Sequence, residues 1–436
     1  ARYKFYNDTG FFKLTLVRGN PLIYISECKN SFILKQAENF KEEKVIVSES
    51  GKLFYLESLE GATIQDQKKI SGKYIALGYI PNEIYLEFYQ KTAVNLPVKS
   101  EVNFTFADNS KLGLEYQIYT ENEGDTFIGF LPIHKKFLEK NVDTAFSIST
   151  IRGKLETFIG KELALSIDLS VPDKSPYKEG YILAELDSLM KIDLSTLSVQ
   201  SSSIYFIGKE LFRLANMLEP AILLDKTDSG KRTKLISEVL KSELIDWFTY
   251  TKGENNKYFA YDTSGKGILA QKPDFGSERY NDHHFHYGYF IYAYTQLAEI
   301  DTEFKEKYAG IVTKLVLDIM NYNLDNTSYP FLRYFDLFEW HSWANGLDQF
   351  RDGNNQESVS EAINAWYAVY LNARISNNLE MQNYALSLYT MEIEAAKEYW
   401  WKYNSGLPEN LPFISLLWQG QAELATFFSN EIEAKL

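Results

Sequence analysis

Four of the five histidines in this 436-residue chain lie between Asn281 and Trp366, together with Asp282, Glu357 and Glu361. They fall in three blocks: Asn281-Asp282-His283-His284-Phe285-His286-Tyr287-Gly288-Tyr289, His341-Ser342-Trp343-Ala344-Asn345-Gly346, and Asp352-Gly353-Asn354-Asn355-Gln356-Glu357-Ser358-Val359-Ser360-Glu361. A packed core has no use for so many polar groups between aromatic rings, because each buried one must find a partner or cost free energy. Asp282 and His286 are four apart at an expected helix entry, and Glu357 and Glu361 repeat that spacing at the next loop-to-helix junction. Each pair can therefore share one side of a first turn. Two carboxylates from different segments, among aromatics and with few cations, match what hydrolysis of a glycosidic bond needs. One must be protonated to give the leaving oxygen its proton, and the other ionised to activate water or attack carbon.

Plainer uses compete for the same residues. Asp282 is a good N-cap residue, so capping and catalysis are both open to it. Ser358-Val359-Ser360-Glu361 fits the S-x-x-E capping box, which favours a structural role for Glu361. Glu357 lies just ahead of that box with no comparable structural use. His283, His284, His286 and His341 are the types that bind metal, but no HExxH occurs and their spacing matches no standard zinc motif. The expectation is no metal and no cofactor. Hydrogen bonds to hydroxyls or to the carboxylates are the commoner use of such imidazoles. Trp340, Trp343 and Trp366 are either core or a platform for a sugar ring.

The elements that must position these groups change character along the chain. Up to about residue 175 short runs rich in β-branched and aromatic residues recur: Lys44-Val45-Ile46-Val47, Lys73-Tyr74-Ile75-Ala76-Leu77, Ile84-Tyr85-Leu86-Glu87-Phe88, Glu101 to Phe106 and Thr126 to Phe130. Such spacing without long helical patterns predicts an antiparallel β-sandwich over 1–175. Val171-Pro172-Asp173-Lys174-Ser175-Pro176 opens a linker region, 176–202. From 203 to 436 the period is helical over Ile207 to Leu224, Lys231 to Phe248, Tyr287 to Ile300, Phe304 to Tyr322, Ser360 to Ile375, Met381 to Trp401 and Pro412 to Phe428. The long polar loops 251–282 and 323–357 lead into the blocks, and long ordered loops in a helical domain are more often functional.

Composition narrows the partners. A net charge of -14 opposes nucleic acid and anionic membrane surfaces. No window supplies the roughly 18 apolar residues of a membrane span, and the opening Ala1-Arg2-Tyr3-Lys4, with no apolar h-region, is expected to be that of a mature or trimmed soluble chain. A single cysteine, Cys28, excludes an intramolecular disulfide. Aromatics at 15%, including seven Trp and 31 Tyr, suit flat ligands such as sugar rings. Sequons at Asn7, Asn103 and Asn326 are compatible with secretion.

The blocks, with Pro330-Phe331-Leu332-Arg333-Tyr334-Phe335-Asp336 between them, resemble glycoside hydrolase family 81, the endo-β-1,3-glucanases. Phe206-Ile207-Gly208-Lys209-Glu210-Leu211 is similar to that family's opening barrel helix, Tyr258-Phe259-Ala260-Tyr261-Asp262 to its substrate-side loop, and Trp418-Gln419-Gly420-Gln421 to a later segment. The motif match covers about 200–430. The resemblance implies a β-sandwich, a small linking region and an (α/α)6 barrel, of which the seven or so helical segments counted above would be an incomplete set. It implies inverting cleavage of β-1,3-glucan such as laminarin, curdlan or the wall glucan of fungi or algae, by a secreted protein expected to be a monomer. It also implies Asp282 as general acid and Glu357 as general base, with Glu361 and His286 in close support. Tyr261, Asp262, His283, His284, Tyr287, His341, Trp343, Asn355 and Trp366 are then expected to bind substrate. Two other readings stay open: a glucan-binding protein that kept the cleft without turnover, and a metal-dependent hydrolase using the histidines.

One expectation conflicts with simple electrostatics. A helix N-terminus favours an ionised carboxylate, which suits Glu357 but works against a protonated Asp282. Apolar neighbours, or repulsion from Glu357 and Glu361, must raise Asp282 if it is the acid.

Overall fold

The structure, a computed structural model, describes residues 2–7, 10–26, 32–33, 37–42, 44–48, 50–59, 63–65, 69–71, 74–108, 110–172, 183–195, 197–225, 230–253, 257–346, 350–401 and 414–424. These residues divide into two compact units, one ending at Asp168 and the other beginning at Leu169.

The first unit is built on antiparallel sheets. The largest has seven strands in the spatial order Arg2–Asn7, Gly10–Leu16, Leu22–Ser26, Tyr74–Ile80, Leu53–Leu59, Val45–Ser48 and Ala37–Glu42. Two three-stranded sheets follow, one of Pro97–Asp108, Lys111–Thr120 and Glu162–Asp168, the other of Thr126–Phe130, Gly153–Gly160 and Phe146–Thr150. Leu22, Tyr24, Tyr55, Ala76 and Ile80 leave the seven-stranded sheet for one core, which Tyr89, Phe127 and Phe146 complete. Alternate residues of a strand share a face, which is why the short β-branched and aromatic runs were readable here.

One such run was misread. Ile84-Tyr85-Leu86-Glu87-Phe88, expected as a strand, forms the 3-10 turn Glu83–Tyr85 and the helix Leu86–Thr92. Asn82 caps it, accepting from the Ile84 amide at 3.1 Å. The residues that reach the core are Tyr85, Leu86, Phe88, Tyr89 and Ala93, a helical spacing that an alternating reading of five residues cannot distinguish.

The second unit is helical: Leu183–Ser195, Ile204–Asn216, Leu218–Asp225, Lys231–Phe248, His283–Ala298, Thr302–Ile319, Val359–Ile375 and Leu379–Ala395, the last widening into a π turn at Ala396–Trp400. Its axis is the helix His283–Ala298, in which every residue except Gln296 is buried. A helix apolar on all sides must be surrounded, and this one packs against Ile204–Asn216, Thr302–Ile319 and Val359–Ile375. Gly288 sets the closest approach: a methyl group there would lie 2.8 Å from Ala365 of the helix that follows Glu357. The two helices that begin at the candidate carboxylates are thus held together by absent side chains. No helix among the described residues is long and apolar enough to cross a membrane.

Two helical expectations change, and the region read as linker contains a helix. The stretch Ile207 to Leu224 is two helices broken at Met217, because Pro220 cannot donate to the carbonyl four residues earlier and its ring would clash there. Within the region expected as linker, 183–195 is a helix, whose Asp187 pairs with Lys191 one turn on at 2.7 Å and ties it to Arg232 at 2.6 Å. Asp173 to Pro176 of the proposed linker motif lie outside the described residues. Of the helix expected over Pro412 to Phe428, the described part is a hairpin: Leu416–Trp418 pairs with Ala422–Glu423 and with Asn355–Gln356. Leu416, Leu417 and Trp418 are all buried, so the apolar run carries no period, and pairing with the Asn355–Gln356 strand decides its conformation.

Candidate active site

Asp282 stands at the N-cap position of the axial helix, but its backbone is left-handed, φ 58°, and its carboxylate caps nothing. Its amide donates to the Ala344 carbonyl at 2.8 Å, and its own carbonyl accepts the His286 amide at 3.0 Å. A left-handed Asp is uncommon and persists only where its surroundings fix it. The side chain is 7% exposed, and Oδ1 is buried without a hydrogen-bond partner. Burial, followed by the charges of Glu357 and Glu361, pushes its carboxyl well above the ordinary range. That resolves the electrostatic conflict: with no helix N–H bonded to the carboxylate, desolvation and two negative neighbours outweigh the helix terminus.

Glu357 is half-buried and follows the short strand Asn355–Gln356. Burial and then Glu361 raise its carboxyl to about 7. Glu361 lies in the first turn of the helix Val359–Ile375. The expected capping box is absent, since the Ser358 side chain makes no cap bond and Glu361 turns towards two phenols. Its Oε1 accepts from Tyr205 at 3.0 Å and Tyr289 at 2.5 Å. Both phenols are raised by burial and then by Glu361, so they remain donors. The cap was a local alternative, and tertiary partners took the side chain.

The Asp282 and Glu357 segments are joined through one peptide. The Ala344 carbonyl accepts from the Asp282 amide, and the Ala344 amide donates to the Asn355 carbonyl at 2.7 Å. Flanking bonds stiffen this link. The Gly346 amide donates to Asn281 Oδ1 at 2.9 Å, and Asn354 exchanges bonds with the Asn345 backbone at 3.0 and 2.8 Å.

Most residues expected to bind substrate are buried. His283, His284, Tyr287, His341 and Trp366 are fully enclosed. His283 Nδ1 lies 2.7 Å from Asp318 Oδ2, and its Nε2 lies 2.7 Å from the Ser277 carbonyl oxygen, which only accepts, so Nε2 donates there. Asp318 also accepts from the Ile268 amide at 2.9 Å, so His283, the residue beside Asp282, is held at both ring nitrogens, one of them by an anchored carboxylate. His284 is sandwiched between Tyr334 and Trp366, with ring centroids 4.8 and 5.8 Å away. Burial, His283 and His286 hold it well below its usual range, so it is neutral. Burial and His283 push His286 down to about 3 as well, leaving a neutral ring 5.1 Å from that of Tyr205. Tyr287 donates to the Ile268 carbonyl at 2.7 Å. His341 Nδ1 lies 2.9 Å from the Ser342 carbonyl, and Trp366 donates to Glu392 at 3.1 Å. Trp343 packs edge-on to His341 and donates to Asp336 at 3.1 Å, which is the core alternative rather than a platform. Asn355 is 4% exposed and bonded to Asn345. Asp262 anchors its own turn, accepting from the Ser264 and Gly265 amides and from Tyr280. Tyr261 is exposed, but its hydroxyl is taken by the Ser328 carbonyl at 2.6 Å. Among the described residues no group of three or more His, Cys, Asp and Glu is arranged to hold a metal.

Sequence reasoning missed Tyr205, Phe206, Phe275 and Glu392. Tyr205 immediately precedes the quoted Phe206-Ile207-Gly208 motif. Phe206 and Phe275 are about half exposed, pack on each other at 6.1 Å, and each meets the Tyr205 ring, at 5.2 and 5.3 Å. Phe275 has φ 50°, an outlier for a bulky side chain. A partly exposed ring on a strained backbone is a signal only a structure can give.

A helical unit that brings two carboxyls with raised titration to neighbouring helix starts, one of them buried with Oδ1 unbonded, has the pair of groups that a glycoside-hydrolase type of site needs. Residues 176–436 match the family model described as Glycosyl hydrolase family 81 C-terminal domain. The chain belongs to this family. It is 35% identical over 289 residues to a glucan endo-1,3-beta-D-glucosidase of Acetivibrio thermocellus, covering 63% of this chain and 36% of that protein. It is 29% identical over 341 residues to one of Glycine max, covering 72% and 50%. A solved glycoside hydrolase family 81 structure from Clostridium thermocellum, a mutant, superposes with a TM-score of 0.87 at 26% identity, covering 99% of this chain and 64% of that one. The chain thus spans between about a third and a half of the curated relatives' length.

Proposed function

We propose that this chain is an endo-β-1,3-glucanase that cuts laminarin- or curdlan-type glucan with inversion, acting outside the cell as a monomer. In this reading the antiparallel unit is a β-sandwich and the helical unit is of the (α/α)6-barrel type. Asp282 is the general acid, Glu357 the general base, and Glu361, clamped by Tyr205 and Tyr289, holds both of their titrations up. The observation that carries the reading is the pair of environments: Asp282 Oδ1 is buried without a partner, while Glu357 is raised only to about 7. Burial and the two neighbouring carboxylates favour the protonated form of Asp282, while Glu357 can ionise near neutral pH, the division that acid and base roles require.

NMR of the products from laminarin tests bond type and stereochemistry together. Release of α-anomers from β-1,3 linkages is expected. Retention of configuration would remove inversion, glucan binding with no release would leave a binding protein, and loss of activity on exhaustive chelation would favour a metal-dependent hydrolase.

Tyr205, Phe206 and Phe275 form the aromatic surface beside Glu361, suited to the apolar face of a glucosyl ring. Phe275→Ala should raise KM for laminarin-derived oligosaccharides about 2–10-fold with kcat little changed, from the roughly 0.5–1.5 kcal/mol of an aromatic contact made in ground and transition states alike. Steady-state kinetics beside thermal melting checks this, and an unchanged KM would remove Phe275 from the cleft.

A further inference from the structure

The helix Leu379–Ala395 carries a carboxylate that the proposed chemistry does not use. Glu392 is 0% exposed, on a helix position where an apolar side chain would fill the space without desolvating a charge. Its environment is built around it. Oε2 accepts from the Ser342 amide at 2.8 Å and from Trp366 Nε1 at 3.1 Å, and Oε1 from the Ser342 hydroxyl at 3.3 Å.

Each donor leads to Glu357 from a different side. Ser342 Oγ donates to Glu392 and accepts from Gln356 Nε2 at 2.8 Å, while the other Gln356 Nε2 proton goes to the Ser342 carbonyl at 2.8 Å. Gln356 Oε1 accepts the Ser358 amide at 2.9 Å. Gln356, immediately before Glu357, is therefore fastened to Ser342 and through it to Glu392, and Ser358, immediately after, is fastened to the same Gln356 side chain. Trp366 belongs to the helix Val359–Ile375, which leaves Glu357 and carries Glu361. A single carboxylate thus ties together the strand that ends just before Glu357 and the helix that begins after it. Around this knot His341 is walled in by Trp343, Tyr399 and Trp400. The network has no exposed member among Glu392, Ser342, Gln356 and Trp366, so water cannot substitute for a lost bond without rearrangement.

We propose that Glu392 is a positioning residue for Glu357, fixing the aim of the base through Ser342–Gln356 on one side and Trp366 on the other. This rests on the reading of Glu357 as base. Glu392 touches no reacting atom, so its removal should alter alignment, and misplacement on the scale of an ångström costs about 100-fold in rate.

The test is Glu392→Gln, which keeps the shape but turns one acceptor oxygen into an NH2 facing a donor. On laminarin, kcat should fall about 10–100-fold with KM within about twofold. β-Laminaribiosyl fluoride separates the two sides of the reaction, because fluoride leaves without protonation and the base is still required. The same fold loss is expected on it. Ser342→Ala, which cuts the hydroxyl relay but keeps the amide bond and the indole bond, should lose less on both substrates, and it supplies the same readouts should Glu392→Gln fail to fold. Unchanged kcat in the variants would overturn the proposal. So would a loss on laminarin that vanishes on the fluoride, which would tie the network to the acid, or a loss that merely follows unfolding on a melting curve. A wild-type protein that cleaves neither substrate would sink the functional reading and this inference together; wild-type turnover with unaffected variants would sink the inference alone.

Discussion

Glu357→Gln is expected to leave the protein folded, able to bind glucan, and about 10²–10⁴-fold slower on every substrate, good leaving group or poor, because water then has no base in the transition state. Azide, which needs no deprotonation, should restore turnover and give a glycosyl azide of inverted configuration. The structure separates this residue from Glu361, its neighbour one turn on. Glu361 is held by two phenol donors and cannot swing to a water without giving up both bonds, whereas the Glu357 carboxyl is raised by burial and by Glu361 with no hydrogen bond offsetting the shift. Glu361→Gln should therefore lose less. It should also move the pH profile: Glu361 raises both Glu357 and Asp282, so removing its charge lets each ionise at lower pH. The acid limb, where Glu357 gains its proton, and the alkaline limb, where Asp282 loses its own, should both shift downward. If Glu361→Gln were the inactive, azide-rescued variant and Glu357→Gln the active one, the two carboxylates would be exchanged.

How far the sequence showed this site depended on how far each residue's partners lay along the chain. Asp282, Glu357 and Glu361 stood out because polar residues at helical spacing among aromatics need a reason, and the structure does bring their charges together. The box Ser358 to Glu361 was satisfied on paper by neighbours three residues apart; the partner that took Glu361 is Tyr205, 156 positions earlier, which no local pattern reports. The histidines misled for the opposite reason. A row such as His283-His284-Phe285-His286 looks like a ligand-binding surface, yet on a helix packed on all sides each ring finds a wall. Glu392 was invisible, being a glutamate in Met391-Glu392-Ile393-Glu394 that reads as an ordinary amphipathic turn. Only the approach of Ser342 and Trp366 distinguishes it. The fold followed the same rule. Lys231–Phe248 and Thr302–Ile319 carry their own period, while the hairpin at Leu416–Trp418 exists because a distant strand ends there.

Asp282→Asn should retain the fold and glucan affinity and lower turnover on laminarin about 10²–10⁴-fold, roughly 3–5 kcal/mol of barrier. The substitution keeps the shape and a hydrogen-bonding head but removes the proton that the leaving sugar oxygen must receive. Its stability cost should be small or negative. The native carboxyl is nine-tenths buried with Oδ1 unbonded and accepts no helix amide, so there is no cap to lose, and a neutral amide relieves the repulsion from Glu357 and Glu361. Two readouts distinguish loss of the acid from loss of geometry. Aryl glycosides with good leaving groups need little protonation, so the deficit should shrink on them; an equal deficit on both substrate types would count against the acid role. The pH profile should change in shape as well. In the wild type the rate rises as Glu357 ionises near 7 and falls again only where Asp282, held well above the carboxylate range, finally gives up its proton. Without Asp282 the group responsible for the falling limb is gone, and the residual rate should climb to a plateau and stay there. A bell that persists unchanged in Asp282→Asn would assign the acid to another residue.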